Sequence, residues 1–373
     1  MSEADDLPRA DQAEGAPHPR ETVRLYGHAQ AEADFLHAFS SERLHHAWLI
    51  MGPRGVGKAT LAWRIARFLL ATPPMEEDGL FGAPPPPSSL DIDPDHPVSH
   101  RMQALAEPGM AAITRSYNDK GRLRDQIVVD DIRVLNRFFG LSSAEGGRRV
   151  VIVDSADEMN VNAANALLKM LEEPPARTTL LLISHQPSRL LPTIRSRCRT
   201  LRLGPLQPDD MQAALELAGA SLPEDPTHLA ALAAGSVGAA MRLLSLEGMK
   251  LYSELLAIID SLPRLDRQRA MALAEKAAAR GGAERFELML TLIDVLLVRL
   301  ARTGATGQAP MPEAAQNEGA ILARLSPNPH KARAWADLAA TVTERTRHGQ
   351  AVNLDPAALV LDTVFKMQDT ASR

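Results

Sequence analysis

AWLIMGPRGVGKAT, residues 47–60, decides the fold. A short apolar run enters a glycine-rich turn, then a lysine, then residues that continue as an amphipathic helix. Strand, G-x-x-x-x-G-K and helix in that order build a phosphate cradle. Gly52, Gly55 and Gly57 let the backbone curl until successive N–H groups converge, and Lys58 adds a mobile positive charge. The N-terminus of the next helix favours anions as well. One position departs from the working motif. After the lysine a nucleotide triphosphatase carries Ser or Thr, whose hydroxyl holds Mg²⁺; here Ala59 stands there and Thr60 comes one residue late.

Strands and helices alternate outward from this loop. RRVVIVDSADEMN, residues 148–160, holds an apolar run at 150–153, the pattern of a strand covered on both faces in a parallel sheet. Asp154 closes it, at the strand end where α/β sheets gather ligand-binding groups. VNAANALLKMLEEPP follows as a helix stopped by Pro174 and Pro175; TTLLLISHQP then reads as a second buried strand and TLRL as the last. This alternation predicts a right-handed, mainly parallel sheet. Ala33, Leu36 and Phe39 give 22–44 one apolar helical face, and Leu61, Ile65, Phe68 and Leu69 do the same for the helix after the cradle. IVVDDIRVLNRFF, from Ile127, reads as a short strand and a helix capped by Asp130 or Asp131, while 98–126 fit no single state.

Other stretches lack this alternation. Residues 1–20 are polar and unpatterned, the composition of a disordered lead-in. Residues 73–97 carry PPPP at 84–87 among Gly, Ser and Asp, and read as a solvated insertion rather than a proline-ligand motif. After Pro205 the strands stop. Short helices fill 206–245, and 246–373 are all helical: Phe286, Leu290, Ile293, Leu297 and Leu300 share one face, 304–319 form a loop, and two helices close the chain.

With 373 residues the chain has room for two or three domains with cores of their own. A net charge of −5 excludes a broadly basic nucleic-acid coat. A single cysteine, Cys198, excludes an internal disulfide framework and a cysteine-based zinc module, and no metal site is expected. No apolar run approaches the ~20 residues that span a bilayer, and the N-terminus lacks the apolar core of a signal peptide, so a cytoplasmic location without membrane contact is expected.

Four blocks in order, RLHHAWLIMGPRGVGKAT, VVIVDSADEMN, NALLKMLEEPPARTTLLLISHQP and RLLPTIRSRCRTLRL, resemble the AAA+ clamp-loader subunits of bacterial DNA polymerase III. The resemblance covers 22–244 by motif and the helical remainder by position and class. It implies a P-loop AAA+ α/β domain with a mainly parallel sheet at 21–205, a small helical lid at 206–245 and an all-helical collar at 246–373. As partners it implies the family's gamma/tau ATPases and delta subunit in a heteropentamer, the sliding clamp and primer-template DNA. The implied setting is the bacterial replisome.

Hydrolysis in that family needs Mg²⁺ ligands, a residue that orients water and positive charge near the γ-phosphate. Asp154 matches the Walker B aspartate, but Ser155 stands where the ATPases carry a glutamate, and a neutral hydroxyl is a poor base near neutral pH. GSVG, 235–238, puts Gly238 where they carry the second-sensor arginine, with Arg242 one helical turn later. With Ala59 these are three departures at separate catalytic positions. Ser196-Arg197-Cys198 is intact, and in the family its arginine is a finger inserted into the neighbouring subunit's ATP site. The resemblance therefore implies a non-catalytic stator that lends Arg197 in trans. Its own nucleotide site, Gly52, Gly55, Gly57, Lys58, Thr60 and Asp154, would hold ATP weakly or without hydrolysis, with Mg²⁺ only beside nucleotide. No zinc is implied, because the family's four-cysteine module is missing here. The alternative is a gamma/tau-like, DNA-stimulated ATPase with Asp157 or Glu158 as base and Thr60 on Mg²⁺.

The remaining candidates read as structural. Cys198 is a small apolar residue by context. His45 and His46, adjacent on an extended approach to a strand, are expected on opposite sides and so share no metal. Lys169, Glu172 and Glu173 read as solvated helix-end or interface groups, and Arg101, Arg115, Arg122 and Arg124 as solvated rather than phosphate-bound.

Overall fold

A computed structural model describes residues 9–13, 15–41, 44–72, 86–140, 147–279, 282–352 and 354–373. They fall into two compact units: one runs to Ala218 and includes Gly235–Gly238, the other joins Gly219–Ala234 to Ala239–Arg373.

The first unit holds the sheet. Its strands are β1 (Ala47–Met51), β2 (Met110–Ile113), β3 (Arg149–Val153), β4 (Thr178–Ser184) and β5 (Arg199–Arg202), ordered β2-β3-β4-β1-β5 with every neighbouring pair parallel. Its helices are α1 (Ala29–Ser40), α2 (Lys58–Ala71), α3 (Pro97–Gln103), α4 (Val129–Gly140), α5 (Val161–Glu172), α6 (Pro192–Arg195) and α7 (Pro208–Leu217). β4 lies between β1 and β3 and is buried along its whole length, which is why TTLLLIS is unbroken by exposed polar positions. Leu49, Val151, Val153, Leu180 and Leu182 pack on Ile132 and Leu135 of α4 and Leu167 and Leu171 of α5. Met51 is in register with Ser184, and Val153 with Leu182. The turn after β1, Asp154 and His185 therefore leave the sheet at one end, where parallel sheets present their ligand groups.

Several expectations need correction. The helix expected over 22–44 starts only at Ala29, because Gly27 turns the chain at φ +74° and the His28 ring is held at 2.7 Å from the Val56 carbonyl oxygen. Its buried face is Ala31, Phe35, Leu36, Ala38 and Phe39, and Ala33 is exposed. Residues 9–13 and 15–20, expected to be disordered, are held: His18 is 2% exposed and lies 3.0 Å from Asp11. Ile127 makes one parallel bridge to Met159 and starts no strand; α4 begins at Val129, with the Asp131 carboxylate accepting from the Val128 N–H at 2.8 Å. The stretch 98–126 contains β2, a short edge strand. Pro84 and Pro85 of the proline run lie outside the described residues. A boundary was expected after Pro205, yet α7 stays with the sheet: Asp210 lies against Gly27, and the Leu206 N–H donates to the Gly235 oxygen at 2.9 Å.

The second unit contains α8 (Thr227–Ala233), α9 (Val237–Ser245, beyond its first residues), α10 (Gly248–Asp260), α11 (Arg267–Ala277), α12 (Ala283–Thr306), α13 (Glu318–Leu325), α14 (Pro329–Ala351) and α15 (Pro356–Ser372). Three helices, not two, follow the loop, because α12 runs on to Thr306 and α13 starts at Glu318. α12 packs on α14 and α11 on α15. Phe286, Ile293, Leu297 and Leu300 are buried, with Leu290 half-buried at the edge of the same stripe. A fully buried carboxylate, Glu318, accepts from Arg299 Nε at 2.7 Å, Arg299 Nη2 at 2.6 Å, the Ala314 N–H at 2.7 Å and the Tyr252 hydroxyl. Such a charge is tolerated only when its acceptor positions are filled in this way. No single helix among the described residues is long and apolar enough to cross a membrane.

Candidate functional site

The cradle is built by close backbone approach. A Cβ on Gly52 would lie 2.1 Å from the Leu203 oxygen, so only glycine fits. A Cβ on Gly55, at φ +72°, would meet Ser236 Oγ at 2.3 Å and Gly238 Cα at 2.9 Å. The Gly238 N–H donates to the Gly55 oxygen at 3.1 Å, and the Ser236 hydroxyl to the Arg54 oxygen at 2.9 Å. The GSVG segment thus meets the loop through the Ser236 hydroxyl and the Gly238 backbone. Gly57 caps α2, and Lys58 is its first residue. Lys58 is 3% exposed and donates through Nζ to the oxygens of Gly52, at 2.8 Å, and Pro53. It closes the loop on itself. Burial pushes its pKa down to about 8, against the opposing charges of Asp154 and Asp157. Ala59 and Thr60 follow, half-buried, in the first turn of α2.

At the end of β3, burial pushes the Asp154 carboxyl up to about 7; the charge of Asp11 adds to this, and Lys58 opposes it. Ser155 sits in the left-handed region at φ 60°, uncommon for a residue with a side chain. Its Oγ is 3.1 Å from His185 Nε2 and 3.4 Å from Asp154 Oδ1. Burial, with the charges of Lys58 and Arg54, lowers the His185 pKa to about 4 and keeps the ring neutral. The position where a glutamate would activate water is therefore a hydroxyl bonded to an uncharged imidazole. His185 had no motif of its own to announce it; the one sign was a polar residue directly after a wholly buried strand.

Asp157 and Glu158 are both occupied. The Asp157 carboxylate, 6% exposed, accepts from the backbone N–H groups of His185 at 2.9 Å and Gln186 at 3.1 Å. Glu158 pairs with Arg54 and, at 2.9 Å, with Arg115. As described, neither carboxylate is free to act as a base, and Arg115 is engaged rather than solvated. Arg242 donates to the Glu284 oxygen at 3.1 Å and to Glu287 at 3.2 Å within the second unit.

Arg197 lies apart from the cradle, just after α6. Its N–H donates to the Ile194 oxygen at 3.1 Å, its Nη1 to the Thr193 oxygen at 3.1 Å, and its Nη2 to Glu172 Oε1 at 2.8 Å. The Arg197 side chain remains 38% exposed. Glu172, read from sequence as a solvated helix end, is its partner. Cys198 packs against the core, and burial pushes its thiol up to about 12, which leaves it protonated and unreactive. His45 and His46 do not face opposite sides: their rings stack at 4.5 Å, because His45 Nδ1 folds back to the Ala47 backbone while His46 Nε2 reaches the Leu171 oxygen. Among the described residues no group of three or more His, Cys, Asp or Glu is placed to hold a metal ion.

Known proteins share this sheet's sequence. Residues 27–207 match the family described as DNA polymerase III, delta subunit. A DNA polymerase III subunit delta' of Pseudomonas aeruginosa is 37% identical over 231 residues, which are 61% of this chain and 63% of that one. The delta' subunit of Escherichia coli is 33% identical over 208 residues, 55% of this chain and 56% of its own length. The tau subunit of Escherichia coli is 27% identical over 305 residues, 76% of this chain and 44% of its own, a longer but more distant match. The chain thus spans less than two thirds of the length of each of these relatives. These matches make the sheet-bearing part of the chain, with its glycine loop, similar to the delta and delta' subunits of DNA polymerase III.

Proposed function

We propose that this chain is the non-hydrolysing stator of a bacterial clamp loader. It assembles with gamma/tau ATPases and a delta subunit, helps place the sliding clamp on primed DNA at the replisome, and lends Arg197 to a neighbour's ATP. The reading rests on one contrast. At the chain's own site every group that hydrolysis would need is missing or bonded internally: Ala59 follows the lysine, Lys58 caps its own loop, Ser155 faces a neutral His185, and Gly238 presses on Gly55. Arg197 is half-exposed and, among the described residues, is tied by an exposed carboxylate and a carbonyl. A guanidinium so placed can meet developing charge on a transferring phosphoryl group, a contribution of about 10³ to 10⁵ in rate where such fingers act.

The chain's own site suits nucleotide bound weakly and unhydrolysed, with Mg²⁺ accompanying it at most. The purified chain, given MgATP and primed DNA, should show no turnover above background. Turnover abolished by Lys58→Ala would instead establish the ATPase reading. Mixed with candidate gamma/tau and delta subunits, the chain should enter a stable heteropentamer.

A further inference from the structure

The chain ahead of α1 lies across the mouth of its own cradle. Ala13 Cβ is 3.8 Å from the position a Cβ on Gly238 would take, beside Gly55. Leu25 Cδ1 is 2.6 Å from where a Cβ on Gly57 would lie, and the His28 ring holds the Val56 oxygen at 2.7 Å. The charge of Asp11 adds to burial in raising the pKa of the Asp154 carboxyl.

This segment is fastened to the helix that leaves the cradle. His18, 2% exposed, pairs with Asp11 at 3.0 Å and sets its ring edge-on to Trp63 of α2, 5.7 Å between centroids. Two arginines of α2 are buried beneath it. Arg67 Nη2 donates to the Arg20 oxygen, and Arg64 Nη1 to the Val23 oxygen, while Arg64 also pairs with Glu32 at 2.8 Å and Asp91 at 2.9 Å. Buried guanidinium groups need such acceptors, so the backbone of 20–23 completes the packing of α2 as well as covering it.

We propose that residues 9–13 and 15–28 form a strap that occupies this chain's own nucleotide site in place of a ligand. The Leu25 and Ala13 side chains take up space beside the glycine loop, and the Asp11 charge, felt at Asp154, adds negative potential to a site where a triphosphate needs positive surroundings. The loop's lysine, turned onto Gly52 and Pro53, cannot offset that charge outward. The strap accounts for the weakness of nucleotide binding, which loss of catalytic groups alone does not require. It goes beyond the lending of Arg197 and does not depend on it.

The test uses the full chain, MgATP carrying an N-methylanthraniloyl fluorophore, and the variants Asp11→Ala and His18→Ala. Both variants should bind the probe about tenfold more tightly than the native chain, or better still. Equal affinity in all three would overturn the strap. Hydrogen exchange of the native chain is a second test that no misfolded variant can confuse. Amides of 15–28 should exchange far more slowly than an unstructured chain, and exchange at the unstructured rate would also overturn it.

Discussion

Nη2 of Arg197 lies 2.8 Å from Oε1 of Glu172, and both side chains remain solvent-accessible. Glu172 ends α5, where the helix dipole disfavours a carboxylate, so Arg197 compensates a charge set against the local rule. Exposed pairs of this kind contribute about 0–1 kcal/mol, which lets the guanidinium exchange its partner for another anion at little cost. Glu172→Ala should therefore shift thermal stability by less than about 1 kcal/mol. In an assembled complex it should lower ATPase activity less than Arg197→Ala does. A loss of stability typical of a core substitution would contradict the exchangeable pair.

Asp154 makes stability depend on pH. Its folded pKa, raised to about 7, lies above the ordinary carboxyl value of 3.8, so the folded state binds the extra proton between those values. Its favourable contribution is full below the lower value and is lost as pH rises through the upper one. Asp154→Asn should stabilise the chain more near pH 8 than near pH 5, by about 2–3 kcal/mol, as read from urea unfolding. A gain of the same size at both pH values would refute the raised pKa.

Asp157 fastens the end of β4 through the His185 and Gln186 N–H groups. Asp157→Ala leaves both donors without that carboxylate and should cost about 2–3 kcal/mol in chemical denaturation. A neutral effect would free Asp157 for other roles.

Glu318 is the buried anchor of the second unit. Glu318→Leu leaves Arg299 without its charge partner and should destabilise that unit by about 3–5 kcal/mol. Circular dichroism melts dominated by α10–α15 would register the loss.

The alternating apolar runs made the sheet's interior legible, because β1, β3 and β4 are covered on both faces and admit little else. β2 escaped notice for the opposite reason: MAAI is a four-residue edge strand, half exposed, with two small residues. The strap as far as residue 20 read as disorder because its own residues are polar, and its remainder read as the start of a helix. What orders it, Trp63, Arg64 and Arg67, belongs to another element and is matched to it only in the folded chain. Ala59, Ser155 and Gly238 could be read position by position. Their replacement contacts could not, since Gly55 against Gly238 and Ser155 against His185 join segments far apart in sequence. The histidine pair misled because alternation along a strand sets where Cβ atoms point, while the His45 ring folded back to its own backbone.

The lending of Arg197 is tested most directly by reconstituting the complex with Arg197→Ala and measuring its DNA-stimulated ATPase beside its assembly. We expect the heteropentamer to form as with the native chain, while ATP turnover at the neighbouring site falls by about 10³-fold or more. Unchanged turnover in a fully assembled complex would contradict the account.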